Sequence, residues 1–211
     1  MSAPGEPLTF PSGDLTLEGL LHQPAAVPHP AAAVCHPHPL FGGDMHNSVV
    51  TAVCQALVGA GIAALRFNFR GVGRSQGRFG DGIGERADAM AAFAYLRQRE
   101  GVDTARVGIV GYSFGAAVAL VAADDQVAAL AAIAPPAHAM PRLSIRCPTL
   151  LITGDRDDVA PPAHVAALAR TLGPHCRAEI VPGADHFWWG RDEELAETVA
   201  RFLSDSLLSV R

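Results

Sequence analysis

The sequence predicts an α/β domain in which a mostly parallel, twisted sheet carries helices on both faces. Strand-like and helix-like segments alternate repeatedly after residue 31, which favours a parallel sheet. Most strand-like segments are short continuous apolar runs, typical of strands that are covered on both faces. The chain has 211 residues, 49% of them hydrophobic, enough for one well-covered core. No internal repeat or low-complexity linker divides it, so we expect residues 1–211 to form a single domain.

The first predicted strand differs from the others. Residues 15–21 alternate apolar and polar side chains, the pattern of a half-buried antiparallel strand, and we expect this strand at the edge of the sheet. The later strands follow a proline-rich turn. In chain order they are "AAAVCH", "IAALRFNF", "ARVGIVGY", "VAALAAIAPP", "CPTLLITGD" and "RAEIVPGADH".

Helical spacing of apolar residues separates these strands. The first helix is expected to begin at an Asn47 or Ser48 cap and to stop at the glycines between 59 and 61. The last is amphipathic, with acidic residues at its positive N-terminal end. The five segments are "NSVVTAVCQALVGAG", "ERADAMAAFAYLRQREG", "FGAAVALVAAD", "PAHVAALARTLG" and "RDEELAETVARFLSDSLLSV".

Charge and cysteine usage restrict the expected partners and compartment. The net charge of −5 comes from scattered acidic residues, so nucleic acid and membrane surfaces are poor candidates for partners. The N-terminal residues lack the pattern of a secretory signal. Widely spaced cysteines without a C-x-x-C pair indicate reduced thiols, so we expect a cytoplasmic protein. We expect it to be a monomer or a small homo-oligomer. The cysteines are Cys35, Cys54, Cys147 and Cys176.

One polar side chain, Ser113, stands at the centre of the most apolar segment of the chain. It lies in "GYSFG", a G-x-S-x-G motif at the junction of a predicted strand and a predicted helix. A turn this sharp presses the backbone against its neighbours, so only small residues fit at Gly111 and Gly115. The hydroxyl would then emerge at the carboxyl edge of the sheet beside a helix N-terminus, where a nucleophile is expected.

A serine nucleophile needs a base, and the base needs an acid that orients it. The loop after "LLIT" offers Asp155, Asp157 and Asp158 as acids, and the loop after the last strand offers His186 as the base. Both loops follow strand ends at the edge where Ser113 should emerge. The order serine, acid, histidine is the one expected for this type of turn.

Over nearly its whole length the chain resembles the α/β-hydrolase superfamily. Within it, "CHPHPLFGGDMHNSVV", "LRFNFRGVGRSQG" and "GYSFGA" are similar to small bacterial hydrolases related to dienelactone hydrolases. The family's Gly-x-x-Asp turn, laid on "GDRDDVAPP", implies Asp157 as the triad acid, with Asp158 as the alternative and Asp155 as a turn cap. This chain departs from dienelactone hydrolase, which has a cysteine nucleophile, because it has Ser113 at that position.

The tetrahedral intermediate of acyl transfer needs two N–H donors for its oxyanion. One should be the amide of Phe114, directly after the nucleophile. The other should come from "PHPLFGG", where the two prolines have no N–H, which leaves His38, Leu40 or Phe41. The resemblance to dienelactone hydrolases favours Leu40, with His38 second.

Two other features could suggest a bound ion or cofactor. His36, His38 and His46 lie close together in sequence, but two prolines hold their loop extended and no carboxylate or cysteine follows at a ligand spacing. These histidines are better interpreted as a pocket wall or as loop-holding hydrogen bonds. The glycine-rich loop "GVGRSQGRFGDGIGE" matches no phosphate-binding motif. We therefore expect neither a metal nor an organic cofactor.

The resemblance also implies where a lid would be inserted, after the strand that follows the nucleophile helix. There the chain has only "APPAHAMPRLSIRCP", so we expect no separate lid domain and a shallow pocket. Its walls would be residues 36–46, 137–143 and 187–189. The candidate pocket residues are His38, Phe41, Met140 and Trp188.

Together these features predict a serine hydrolase that cleaves carboxylic esters of small soluble acyl substrates through an acyl-enzyme. A thioesterase or amidase would use the same triad, because all three pass through a similar tetrahedral intermediate. A non-catalytic binding module on the same fold is the alternative from another class.

Overall fold

The computed structural model describes residues 5–137 and 143–208, and within them the chain forms one eight-stranded sheet. The strand order across the sheet is β1-β2-β4-β3-β5-β6-β7-β8. The strands are β1 Glu6–Ser12, β2 Leu15–His22, β3 His29–Cys35, β4 Ala63–Phe67, β5 Val102–Tyr112, β6 Leu130–Ile133, β7 Thr149–Gly154 and β8 Cys176–Val181.

The predicted antiparallel strand is β2, but the prediction that it lies at the sheet edge is wrong. β2 pairs antiparallel with β4 on one side and with β1 on the other. β1, which the sequence analysis did not predict, takes the edge position. It contains Pro7 and Pro11, and a proline lacks the N–H that an interior strand must donate.

The remaining strands, β3 to β8, are parallel to one another, so the prediction of a mostly parallel sheet is confirmed. Four helices and one short 3₁₀ turn, Pro39–Phe41, lie between strands in the described residues, and a fifth helix follows β8. The first helix begins after the predicted Asn47 cap, whose side chain accepts hydrogen bonds from the amides of Val49 and Val50. The helices are α1 Ser48–Gly59, α2 Ile83–Arg97, α3 Phe114–Ala122, α4 Pro162–Leu172 and α5 Asp192–Leu208.

Helices cover both faces of the sheet, as predicted. Gly108 of β5 faces Leu203 of α5, whereas Gly111, three residues on, faces the backbone of α3. Residues three apart on a strand point to opposite faces, so α3 and α5 lie on opposite sides of β5. α1 packs against α5, and α2 packs against α3.

This topology brings the loops that follow the parallel strands to one edge of the sheet, where ligands bind in open α/β folds. The connection from β6 to β7 spans only residues 134–148, too few for a lid domain. In the part of the chain that the structure describes, no helix combines the length and the apolar character that crossing a bilayer requires.

Candidate active site

Ser113 lies in the one-residue turn between β5 and α3, in a backbone conformation that L-residues rarely adopt. Its φ is 54° and its ψ is −117°, and such a conformation costs on the order of 1–3 kcal/mol. Neighbouring main-chain bonds hold it. The Ser113 N–H donates to Ile133 O at 2.8 Å, and the Ser113 carbonyl accepts from Ala116 at 2.9 Å and Ala117 at 3.1 Å.

The two glycines that flank Ser113 have the crowded surroundings that the motif predicted. A Cβ on Gly111 would lie 2.1 Å from Gly115 O, and a Cβ on Gly115 would lie 2.4 Å from Cys35 O. Both obstacles are backbone atoms, which cannot turn aside as a flexible side chain can. Glycine is therefore required at both positions for α3 to start directly behind the serine.

The structure brings Ser113 and His186 together at the carboxyl edge of the sheet. Ser113 Oγ lies 3.0 Å from His186 Nε2, and each of the two residues is only 8% exposed. The opposite ring nitrogen, His186 Nδ1, lies 2.9 Å from Asp157 Oδ2 and 3.0 Å from Oδ1. This is the geometry in which an acid orients a base and the base reaches the nucleophile.

Asp157 is buried and held as a carboxylate. Its Oδ1 accepts the N–H groups of Val159 at 2.9 Å and Ala160 at 2.7 Å. Burial alone would raise the pKa of Asp157, but the hydrogen bonds from His186 and from the two amides outweigh it. The pKa therefore lies below its ordinary value, and the group is ionised at neutral pH.

The other two acids of this turn do not contact His186. Asp158 is exposed. Asp155 accepts a hydrogen bond from the Gly183 N–H at 2.6 Å, so it ties the loop after β7 to the loop that carries His186. The structure thus groups Asp157, rather than either alternative acid, with the base.

Tyr112, the residue before Ser113, also contacts the histidine loop. Its hydroxyl donates to the His186 carbonyl at 2.7 Å, and the tyrosine is nearly fully buried. Burial, with the nearby charge of Asp157, raises the pKa of Tyr112 and keeps the hydroxyl protonated as a donor. The sequence analysis did not single out this residue, and no local pattern distinguishes it from a core tyrosine.

Among the expected oxyanion donors, Phe114 has a suitable amide. The first hydrogen bonds of α3 are made by Ala116 and Ala117, so the Phe114 N–H precedes them and lies at the open end of the helix.

The expected donor Leu40 does not have a free amide. Its N–H donates to His38 Nδ1 at 3.2 Å, and its side chain is 68% exposed. Phe41 and Gly43 donate to His38 O, at 3.1 Å and 3.0 Å. The His38 N–H, the second choice of the sequence analysis, has no acceptor among the described residues and is free to donate.

A cavity of about 930 Å³ opens above Ser113 and His186, within the usual range for small-molecule sites. Of the predicted pocket residues, His38 and Phe41 line it. Met140 lies outside the described residues. The other lining residues are Pro37, Leu40, Gly42, Gly43, Asn47, Phe79, Asp81, Tyr112, Phe114, Pro136, Val159 and Phe187.

The prediction that Trp188 lines the pocket is wrong. Trp188 is fully buried, whereas its neighbours Phe187 and Trp189 are 59% and 78% exposed. Asp185 causes this arrangement, because its Oδ1 accepts the amides of Phe187 at 3.0 Å and Trp188 at 2.9 Å. The resulting turn, with Trp188 at φ 58°, directs Trp188 inward and leaves Phe187 at the cavity.

Among the cavity residues that the sequence analysis missed are Phe79 and Asp81. They belong to the loop after β4, whose carboxyl end lies at the same edge as the ends of β5, β7 and β8. The rule that placed the triad at this edge would have found them. The glycine-rich loop was considered only as a phosphate site.

The three histidines of the 36–46 segment have separate surroundings. His36 Nε2 accepts the Phe69 N–H at 3.1 Å and its Nδ1 lies 2.6 Å from Pro37 O. Burial lowers the pKa of His36 to about 4, so the ring is neutral and joins the ends of β3 and β4. His38 lines the cavity and His46 is exposed. Within residues 5–137 and 143–208, no three potential ligands converge on a point where a metal could bind.

Comparison with known proteins identifies the family of this chain. The family model of the X-Pro dipeptidyl-peptidases (S15 family) matches residues 16–145. An uncharacterized protein of Rickettsia prowazekii is 35% identical over 200 residues, which cover 89% of this chain and 84% of that protein.

Two solved structures are similar over nearly their whole length. An alpha-beta serine hydrolase homologue from Coxiella burnetii has a TM-score of 0.83 and 34% identity, and the match covers 95% of this chain and 97% of that one. A serine hydrolase without a lid from Xanthomonas campestris has a TM-score of 0.86 and 33% identity, with 100% and 99% covered. This chain therefore belongs to the α/β serine hydrolases, in the family that the S15 model describes and in the lidless form of its solved relatives.

Proposed function

We propose that this enzyme cleaves carboxylic ester bonds of small acyl substrates by way of an acyl-enzyme on Ser113. The observation that carries the proposal is the continuous chain from Ser113 Oγ through His186 to Asp157, with separations of 3.0 Å and 2.9 Å at the floor of an open cavity.

In the first half of the reaction, Ser113 Oγ attacks the ester carbonyl while His186 Nε2 takes the hydroxyl proton. Asp157 holds the proton on Nδ1, so that Nε2 is the free base, and stabilises the imidazolium that forms. The tetrahedral intermediate then collapses. The bond to the alcohol oxygen breaks, His186 gives its proton to that oxygen, and the alcohol leaves.

In the second half, water attacks the acyl-enzyme and loses a proton to His186 Nε2. Collapse of the second intermediate breaks the bond to Ser113 Oγ, which recovers the proton from His186, and the carboxylic acid leaves. In both intermediates the N–H groups of Phe114 and His38 hold the negative oxygen. The residues of this mechanism require no metal or organic cofactor.

Ester cleavage suits the lining of the cavity. An extended peptide needs hydrogen-bonding partners for its main chain, because each buried amide that is left without one costs free energy. The lining outside the triad is mostly apolar or aromatic, with few polar side chains. A compact apolar acyl group makes no such demand.

Peptide cleavage after proline is the second candidate, because the family model that matches residues 16–145 describes X-Pro dipeptidyl-peptidases. The triad chemistry is common to both reactions, so substrate preference distinguishes them. We would compare kcat/KM for p-nitrophenyl butyrate, a butyryl thioester and Ala-Pro-p-nitroanilide. A preference for the anilide over the two butyryl compounds would replace the ester proposal with the peptidase.

The direct test is Ser113→Ala with p-nitrophenyl acetate and p-nitrophenyl butyrate. We expect turnover to fall to the level of the uncatalysed reaction while the circular dichroism spectrum and the melting temperature stay near those of the wild type. The wild type should be labelled by a fluorophosphonate probe and the variant should not. Retained turnover in the variant would refute the role of Ser113, and an unlabelled, inactive wild type would favour a non-catalytic binding module.

A further inference from the structure

The cavity above Ser113 contains one negatively charged side chain that the proposed mechanism does not use. Asp81 is the single carboxylate among the described lining residues, most of which are apolar or aromatic. The triad acid, Asp157, is buried beneath His186 and is not part of the lining. Asp81 therefore determines the charge that a substrate meets outside the reacting groups.

Asp81 has no partner that would neutralise it. In residues 5–137 and 143–208, no arginine or histidine nitrogen lies within 4 Å of its carboxylate, and no group donates a hydrogen bond to it. A substrate that covers the carboxylate removes it from water. Such removal costs free energy unless the substrate supplies an opposite charge.

Capping of a neighbouring helix does not explain the aspartate. α2 begins two residues later, and its N-terminus already has a carboxylate, because Glu85 accepts the N–H groups of Gly80 at 2.8 Å and Gly82 at 2.9 Å. Asp81 itself has φ 52°, a left-handed conformation that aspartate and asparagine tolerate better than most residues. Conformation alone would be satisfied by asparagine, and the exposed carboxylate of Asp81 is available to a ligand in the cavity.

Four aromatic rings form the wall beside Asp81, and we call them the aromatic cluster: His38, Phe41, Phe79 and Phe114. The His38 ring centroid lies 4.8 Å from that of Phe41, 5.0 Å from that of Phe79 and 4.8 Å from that of Phe114. Burial lowers the pKa of His38, which keeps its ring neutral. Aromatic faces attract cations, and a neutral imidazole does not repel them.

The aromatic cluster connects the carboxylate to the reacting centre. Phe114 directly follows Ser113, and its ring lies 3.8 Å from the position that a Cβ would take on Gly82, the residue after Asp81. Ser113, Phe114 and Asp81 line the same cavity, and the Phe114 ring contacts the segment that carries the carboxylate. A substrate that fills this cavity would meet both the nucleophile and the carboxylate.

We propose that Asp81 and the aromatic cluster form a subsite for an ammonium group, so that the preferred substrates are esters that carry a positive charge. This inference rests on the proposed ester hydrolysis and names the substrate class of the same site. The carboxylate supplies the counter-charge and the rings supply cation–π contacts to the alkyl groups on nitrogen.

The test compares charged esters with neutral esters of the same shape. For a charge on the alcohol, butyrylcholine is paired with 3,3-dimethylbutyl butyrate. For a charge on the acyl group, p-nitrophenyl 4-(trimethylammonio)butanoate is paired with p-nitrophenyl 5,5-dimethylhexanoate. The quantity measured is the ratio of kcat/KM for the charged ester to that for its neutral partner, in wild type, Asp81→Asn and Glu100→Gln. Glu100 is an exposed acid in the turn before β5, at the opposite edge of the sheet.

We expect the wild type to prefer the charged ester in at least one pair, and Asp81→Asn to lower that ratio about three- to tenfold. Glu100→Gln should leave the ratio at the wild-type value. High salt should lower the ratio in the wild type more than in Asp81→Asn, because it screens the carboxylate. Since the ratio is taken within one variant, a general loss of activity does not change it.

Ratios near or below one for both pairs in the wild type would overturn the ammonium subsite, and so would a ratio that Asp81→Asn leaves unchanged. Turnover of the neutral esters in the same experiment would still support ester hydrolysis. If none of the four esters is hydrolysed, the proposed function fails and the subsite fails with it.

Discussion

Replacing His38 by proline tests one N–H group of the proposed oxyanion site. The backbone of His38 already suits proline, with φ −59° and ψ 122°, and proline fixes φ near −65°. The carbonyl of residue 38 would still accept the N–H groups of Phe41 and Gly43, which hold the turn. The substitution therefore removes a donor without requiring a new loop conformation.

The imidazole is lost together with the N–H, so His38→Ala is the matched control. Alanine removes the ring, its contacts with the aromatic cluster and the acceptor of the Leu40 N–H, but it keeps the main-chain donor. The difference between the two variants then measures the N–H together with the steric effect of the proline Cδ that takes its place. Loss of one donor from an oxyanion site lowers kcat about 10²- to 10³-fold, or roughly 3–4 kcal/mol of transition-state stabilisation.

The assay is steady-state hydrolysis of p-nitrophenyl butyrate, with thermal melting of each variant as a check on the fold. We expect His38→Pro to have a kcat about 100-fold or more below that of His38→Ala, with similar KM values. If the two variants differ by less than about threefold and both melt near the wild-type temperature, the N–H of residue 38 does not hold the oxyanion. The assignment would then pass to another amide of the loop.

Two further substitutions test the turn and the triad acid. Gly111→Ala places a Cβ 2.1 Å from a backbone oxygen of α3. We expect the free energy of unfolding to fall by about 3 kcal/mol and the melting temperature to fall by roughly 6–12 °C. The control is Gly59→Ala, whose Cβ would meet nothing within 4 Å, and it should melt at or above the wild-type temperature. Asp157→Asn should lower kcat by about 10⁴ by allowing the wrong tautomer of His186. The lowered pKa of Asp157 means that its charge stabilises the fold above the ordinary pKa of 3.8, and that this contribution is lost as the pH falls through the lower folded-state value. The difference in unfolding free energy between wild type and Asp157→Asn, measured by urea titration, should therefore shrink below about pH 4, and a difference that stays constant or grows there would contradict the assignment.

The sequence could predict the fold and the edge that carries the proposed triad because both follow from repeated local patterns, whereas the choice of Asp157 among three acids came from the family resemblance. Alternation of apolar runs with helical spacing identifies parallel strands, and parallel strands end at one edge. Ser113, Asp157 and His186 each lie just beyond such a strand end, so the topology was sufficient to bring them together.

Two errors of the sequence analysis concern positions that depend on individual hydrogen bonds. Trp188 and Phe187 are adjacent and both bulky, and only the bonds from their amides to Asp185 decide which one faces the cavity. In the 38–43 turn, the Leu40 N–H is occupied only because the His38 ring accepts it, and the N–H that stays free is that of His38. Composition and periodicity contain no signal for either choice. The edge strand β1 was missed because its prolines suppress the strand pattern.

The loops that carry the triad are joined by bonds that do not involve the reacting atoms. Tyr112 links the serine turn to the His186 carbonyl at 2.7 Å, and Asp155 links the acid turn to the Gly183 N–H at 2.6 Å. The strained backbone of Ser113 is meanwhile held by β6 and by the first turn of α3. These bonds set the distances between nucleophile, base and acid before any substrate binds. Preorganisation of this kind suits a hydrolase without a separate lid domain, because the reacting groups are already in position when the substrate arrives.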